Sequence, residues 1–402
     1  MLMHARPLAA ALLASLLAAC ATPPERDIAR APSCPPCPAC PACPGAKPPE
    51  AKVPTLAPAS FADLPGWNAD NVAQAWSAFL ASCRGMRFQA PWQAVCSEAA
   101  KLADPSEAVT RRFFEENFVP HRVASADGAT QGLVTGYYEP LLRGSRTRTP
   151  PFVHALYAPP DDLLVIDLSA VNPDLKNMRL RGRLDGRRIV PYYSRAEIEG
   201  GVAPVAGKEI VWVDDPIEAF FLQVQGSGRV KLETGELLRV GYADQNGHPY
   251  QSIGRWLVDK GELQLSEASM QGIQRWARSN PQRLSELLNQ NPSYVFFKEL
   301  PSADGGPPGA QGVALTPERS IAVDPRFVPL GAPVWLATTR PNSNAPLERL
   351  VVAQDTGGAI RGAVRADFFW GFGADAGREA GRMRQQGRMW VLLPKGYPLP
   401  KN

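Results

Sequence analysis

Histidine is scarce in this 402-residue chain: His4, His121, His154 and His248 are scattered, which argues against a histidine-rich zinc centre. A surplus of one charge is missing as well. Forty-three lysines and arginines face 39 aspartates and glutamates with no dense basic stripe, so no nucleic-acid partner is expected. The apolar run Leu8–Ala19 is too short for a permanent membrane helix and has the length of a signal-peptide core, with Arg6 ahead of it. Cysteine is sparse past residue 43, where only Cys83 and Cys96 occur. No motif calls for a metal or an organic cofactor. What remains is an ordinary globular composition, 45% hydrophobic and 20% charged, at a length that suits two domains.

Proline is abundant, with 41 residues, and much of the excess lies between Pro32 and Pro58. The leader ends in Leu17-Ala18-Ala19-Cys20, which resembles a bacterial lipobox, so residues 1–19 are expected to be removed and Cys20 to be lipid-modified. Ala21, by resemblance to Gram-negative lipoproteins, directs the anchored protein to the periplasmic face of the outer membrane. Residues 20–58 then read as a semi-rigid linker. In it Cys34, Cys37, Cys40 and Cys43 recur every three residues, the repeat of polyproline II, which lines the thiols along one edge. Interleaved prolines keep the chain from wrapping around a metal, so a spacer is favoured over a zinc or redox site.

Folding is expected to begin near Phe61. Val72, Trp76, Phe79, Leu80 and Cys83 have helical spacing with Asp70 as cap, and a second helix over 105–118 has Asp104 as cap and Glu107 completing a capping box. Cys83 and Cys96 are expected to form a disulfide, closing a short loop in an oxidising compartment. From Leu133 the pattern turns to short strands, near 133–140, 163–168, 220–225, 229–232, 237–242, 294–300, 319–323, 333–337, 349–354 and 388–393. Short helices are expected near 194–199, 252–260, 266–278 and 281–289. The fold class is therefore mainly β with helices, in barrel-like arrangements.

Three aspartates share the last β region. Asp324 and Asp355 each follow an apolar run and precede a turn, and Asp367 stands before Phe368, Phe369 and Trp370. Such aromatics, with Ala366, can desolvate a carboxyl and keep it protonated as a general acid, although alternation along a strand is expected to turn Phe368 or Phe369 to the core instead. Asp324, beside Pro325, reads as mainly structural, and Asp355 as a residue that orients Asp367 or caps its own turn. Thr135, Gly136, Tyr137 and Tyr138 end one strand, and the Gln225-Gly226-Ser227-Gly228 turn ends another, with small polar and aromatic groups suited to sugar rings.

The segments "LTPERSIAVDPRFVPLGAPVW", "VVAQDTGGAIRGAVRADFFWGFG" and "GRMRQQGRMWVLLPK" resemble the three-aspartate domain of the membrane-bound lytic murein transglycosylase A family. Upstream, "VTGYYEP", "VDDPIEAFFLQVQGSGRV" and "NPSYVFFKEL" resemble the same family in the same order, so the likeness runs from about 61 to 395. The resemblance implies a double-psi β-barrel catalytic domain from two segments, 59–140 and 263–397, with an inserted smaller β-barrel over 141–262. It implies Asp367 as catalytic acid, and peptidoglycan glycan strands, an outer-membrane lipid anchor and cell-wall enzyme complexes as partners. It also implies cleavage of the MurNAc–GlcNAc β-1,4 bond to 1,6-anhydromuramic acid products. Two rivals are a non-catalytic module that binds or loosens the cell wall and, through Asp355-Thr356-Gly357, an aspartic protease. The protease needs two carboxyls sharing a proton, hence a second such triplet or a homodimer, and this chain contains no second triplet.

Overall fold

A computed structural model describes residues 56–399 apart from 174, 176, 177, 179 and 302–304. The leader, Cys20 and the cysteine repeat lie outside the described residues. By contacts, the described residues fall in one compact unit.

The first described element is strand β1 (Leu56–Pro58), which pairs with β2 (Phe118–Val123), so the last residues of the expected linker belong to a sheet. Between them come helices α1 (Trp76–Gly85), α2 (Ala90–Ala99) and α3 (Glu107–Asn117). Their apolar faces join Trp76, Phe79, Phe113, Phe114 and Phe118 in an aromatic cluster within the main core. Cys83 of α1 and Cys96 of α2 are disulfide-bonded, with Cα atoms 5.3 Å apart. Two expected caps do different work. The Asp70 carboxylate accepts from Arg319 (2.7 and 2.8 Å) and from the Leu350 amide (2.9 Å), because a buried guanidinium outbids an exposed helix end. Ser106, not Asp104, caps α3, and Glu107 pairs with Arg111 instead of closing a capping box.

Strand β3 (Gly132–Glu139) passes through Pro140 alone into β4 (Leu141–Ser145), which belongs to a different sheet. Then follow β5 (His154–Tyr157), β6 (Leu164–Val165), β7 (Arg181–Asp185), β8 (Arg188–Pro191), α4 (Arg195–Glu199) and β9 (Glu209–Val213). The stretch 220–225, expected as a strand, is the end of helix α5 (Pro216–Gln225). Asp215 caps it, accepting from the Ile217 amide at 3.0 Å, Pro216 occupies its first turn, and apolar side chains are buried almost all round it. A continuous apolar run has no period to separate a buried helix from a buried strand. Likewise the strand expected over 163–168 contracts to β6. Next come β10 (Ser227–Leu232), β11 (Leu237–Gln245), α6 (Ile253–Asp259), α7 (Met270–Ser279), α8 (Leu284–Leu288) and β12 (Val295–Leu300). The chain ends with β13 (Ser320–Val323), β14 (Pro333–Thr339), β15 (Pro346–Asp355), β16 (Ala366–Phe372), α9 (Gly373–Ala380) and β17 (Arg384–Pro394).

The architecture is mainly β with helices. One sheet runs β1-β2-β17-β14-β15-β13-β16-β3, and β3 also pairs with β17, so the pairings from β17 round to β3 return to their start. A second sheet runs β12-β11-β10-β4-β9-β5, and a small third one β6-β7-β8. The second sheet takes β12 from beyond residue 262, the expected end of the inserted domain. The reason is pairing: Val295–Leu300 zips antiparallel onto β11.

Candidate functional site

Strand β16 lies between β3 and β13, with Asp367 in register with Thr135 on one side and Ala322 on the other. Side chains alternate along a strand, so Asp367 and Phe369 share one face and Phe368 and Trp370 the other. Phe368, of the two phenylalanines the one that turns to the core, belongs to the main core together with Trp370, which was expected beside the carboxyl. A separate cluster of Tyr137, Leu315, Ala322, Ile360 and Phe369 forms the apolar surround on the Asp367 face, with Tyr137 and Phe369 ring centroids 5.2 Å apart.

Thr135 Oγ1 donates to Asp367 Oδ1 at 2.6 Å. Asp367 is partly buried, and loss of hydration pushes its carboxyl up to about 6, against the opposing pull of the Thr135 hydroxyl and the Arg365 guanidinium. The Asp355 carboxylate adds to the upward push. Tyr137 donates its hydroxyl to Asp355 Oδ2 at 3.0 Å, and burial plus both carboxylates hold the phenol far above its ordinary range. Asp355 Oδ1 accepts from the Ala310 and Thr356 amides, each at 2.9 Å. Thr135, Tyr137, Asp355 and Asp367 are thus brought together by strands from opposite ends of the chain.

The other expected residues fall elsewhere. Gly136 lies on the opposite face of β3, where an added Cβ would stand 2.6 Å from Trp370 Nε1, so its role there is close packing. Tyr138 shares that face under α9, and its amide donates to Gln225 Oε1 at 3.0 Å. Gly226 ends α5 in the left-handed conformation, and Ser227 starts β10. Gly228 lets β10 approach Pro140, whose carbonyl accepts from Arg229 at 2.8 Å. The Gln225–Gly228 turn therefore follows a helix and stitches the two sheets together. Asp324 is buried. Its burial alone would raise the carboxyl, but hydrogen bonds from Arg326 and the Gly362 amide hold it low. It pins the loop that leads from Asp355 to Asp367.

Sequence inspection missed a buried ionic junction. Glu139, fully buried, accepts from Arg229 Nε at 2.9 Å and lies 3.8 Å from Arg239, while Arg229 also covers the Phe372 ring at 4.0 Å. Its signal was present, since Glu139 precedes the single residue that joins the sheets. Two clefts of about 250 and 310 Å³ share Arg388, and neither is lined by Asp367, Asp355 or Tyr137. Among the described residues no group of three or more His, Cys, Asp or Glu side chains is placed to hold a metal ion.

Comparison with known proteins adds a second line of observation. Residues 133–298 match the family model described as the MltA specific insert domain, and residues 319–393 match the 3D domain. The membrane-bound lytic murein transglycosylase A of Escherichia coli (strain K12) is 35% identical over 279 residues, covering 67% of this chain and 68% of that protein. Among solved structures, the lytic transglycosylase LtgG of Burkholderia pseudomallei is 51% identical, with a TM-score of 0.58 over 86% of this chain and 96% of that one. E. coli MltA with bound chitohexaose is 26% identical, with a TM-score of 0.64 over 87% of this chain and 98% of that one.

Proposed function

This chain belongs to the membrane-bound lytic murein transglycosylase A family, and from that premise we propose that it cleaves peptidoglycan glycan strands with Asp367 as its one acid–base group. The observation that carries the reading is a carboxyl raised to about 6 in an apolar surround, beside carboxylates that are already occupied. Asp355 is engaged by Tyr137 and two amides, and Asp324 by Arg326 and Gly362. An ordinary glycosidase needs a second carboxyl for water or as nucleophile. A transglycosylase does not, because the muramic acid C6 hydroxyl attacks its own C1, and an intramolecular nucleophile has a high effective molarity.

In this mechanism protonated Asp367 gives its proton to the leaving GlcNAc O4 as the C1–O4 bond breaks. The C6 oxygen bonds to C1, closing the 1,6-anhydro ring, and the Asp367 carboxylate accepts the C6 hydroxyl proton, which restores the acid. Thr135 holds Oδ1 through its 2.6 Å hydrogen bond, and Tyr137 keeps Asp355 in place. Chitohexaose, bound by the E. coli relative, shares the β-1,4 linkage and acetamido groups of the murein strand.

We read the first sheet as a double-psi β-barrel, a reading supported by its return of pairings, and the segment after Pro140 as the inserted domain. The glycan then lies between them, near Thr135, Tyr137 and the Glu139–Arg229 junction. Cys20 carries the lipid that holds the enzyme to the periplasmic face of the outer membrane, where cell-wall enzyme complexes are within reach. The test is mass spectrometry of digested sacculi. Products ending in 1,6-anhydromuramic acid are expected, whereas reducing ends would mean hydrolysis and no products would mean a binding module.

A further inference from the structure

Two arginines flank the acid without a carboxylate partner. Thr135 of β3 is in register with Asp367 of β16 on one side and Arg384 of β17 on the other, so the three side chains leave the sheet on one face. Val134 and Ala366 turn the opposite way into the main core, which fixes that phase. Arg365, two residues before Asp367 on β16, shares its face, and Nη1 donates to the Leu133 carbonyl at 3.3 Å and the Ala366 carbonyl at 2.5 Å. Its Nε–Nη2 edge donates to no group among the described residues and is not sealed from solvent. Arg384 is exposed, and among the described residues neither guanidinium makes an ion pair. By contrast, Arg181, Arg229 and Arg319 are paired with Asp244, Glu139 and Asp70. The carboxylate whose field does reach Arg365 is Asp367, the group that must carry a proton to act. With Asp367 protonated, Arg365 is a half-buried cation lacking a counter-charge, an arrangement that favours the arrival of an anion.

We propose that Arg365 and Arg384 together receive a carboxylate borne on the lactyl arm of the muramic acid ring, and so select murein over neutral β-1,4 glycans. The proposal rests on the glycan cleavage assigned to this site. The sugar rings of a murein strand are neutral, as chitohexaose is throughout, and its anionic groups hang from the lactyl oxygen. In peptide-free strands that group is the lactyl carboxylate itself, and in substituted strands it is a carboxylate of the attached peptide. A guanidinium presents paired N–H groups in the plane of a carboxylate, and the open Nε–Nη2 edge of Arg365 is one such pair. Two strands apart and displaced by one rung, the Arg365 and Arg384 Cβ atoms are about 12 Å from one another. Two extended arginine side chains can bridge that gap around one carboxylate, and Arg365 already leans across β3 to reach the Leu133 carbonyl.

The test uses the mature chain, residues 20–402, carrying Asp367→Asn so that the ligands survive. Calorimetry compares three probes of matched length: chitohexaose, peptide-free murein strands and peptide-bearing murein strands. Murein is expected to bind more tightly than chitohexaose. Arg365→Gln should cut that preference about tenfold, the loss of a hydrogen-bonded charge at a half-buried site. Arg384→Gln, at an exposed position, should cut it about threefold. Both affinities are measured on the same variant, so partial unfolding or a change in the acid cancels in their ratio. Arg365→Lys, which keeps the charge, should recover part of the preference. A preference confined to peptide-bearing strands assigns the peptide carboxylates, and one shared with peptide-free strands assigns the lactyl group. Equal binding of murein and chitohexaose, or a preference that both glutamine variants retain, would overturn the assignment. The cleavage reading fails separately, if the chain with Asp367 intact releases no product from any strand, a result on which the binding comparison does not depend.

Discussion

Replacing Asp367 with asparagine should weaken catalysis and strengthen the fold, and the two effects should separate with pH. The carboxyl is raised from 3.8 to about 6, chiefly by loss of hydration. At pH 7 roughly one molecule in ten then retains the proton, whereas an ordinary aspartate would keep it in fewer than about one in a thousand. A group whose acid form is favoured by folding binds more protons in the native state, so stability falls as pH rises from about 4 through 6. Above that window the ionised carboxyl costs about 3 kcal/mol, trimmed to about 2 kcal/mol because Asp367 is partly open to solvent. The asparagine side chain has the same shape and can still accept from Thr135, but it never ionises. Asp367→Asn should therefore unfold in urea with about 2 kcal/mol more stability than wild type at pH 7.5 and with equal stability near pH 3.5. Its release of anhydro products should fall by about 10²–10⁴-fold, the usual loss when a general acid is removed. Near-wild-type product release would refute the acid assignment. A stability difference that does not change between pH 3.5 and 7.5 would refute the desolvation argument behind it.

Two further substitutions probe the surroundings. Thr135→Val removes the hydroxyl that pulls the Asp367 carboxyl down, so the pH above which activity declines should move upward, while an unmoved profile would show that the 2.6 Å contact does not tune the acid. Glu139→Gln leaves Arg229 and Arg239 facing a neutral group at a buried site, and breaking such a pair from one side should cost about 3–5 kcal/mol in chemical unfolding. A loss within experimental error would mean that water already reaches the junction.

Local signals were readable where they were periodic. The strands near 319–323, 333–337, 349–354 and 388–393 announce themselves because β-branched and apolar residues run between turn formers, and the structure has β13, β14, β15 and β17 there. The helix at 216–225 was unreadable as a helix because burial on all sides erased its period. Helix α2 went unnoticed although its inward residues Trp92, Val95 and Ala99 stand at helical spacing. Asp70 and Asp104 looked like caps because a cap is the commonest use of a lone aspartate near a helix, yet Asp70 has an arginine partner 249 residues away.

What the sequence by itself determined is the chemistry available: one aspartate in an aromatic stretch, a tyrosine-rich strand end, a cysteine pair, and motifs enough to place the family. Those are short-range facts, carried by neighbours along the chain. Only the tertiary structure decided that Phe369 rather than Phe368 or Trp370 shares the Asp367 face, because the alternation of a strand has no absolute phase until one side is packed. The fold also brought Thr135 to within 2.6 Å of Asp367 and bound Tyr137 to Asp355, contacts that span 232 and 218 residues. A carboxyl's proton affinity depends on what surrounds it in space, and for Asp367 that surround is assembled from strands at both ends of the folded chain.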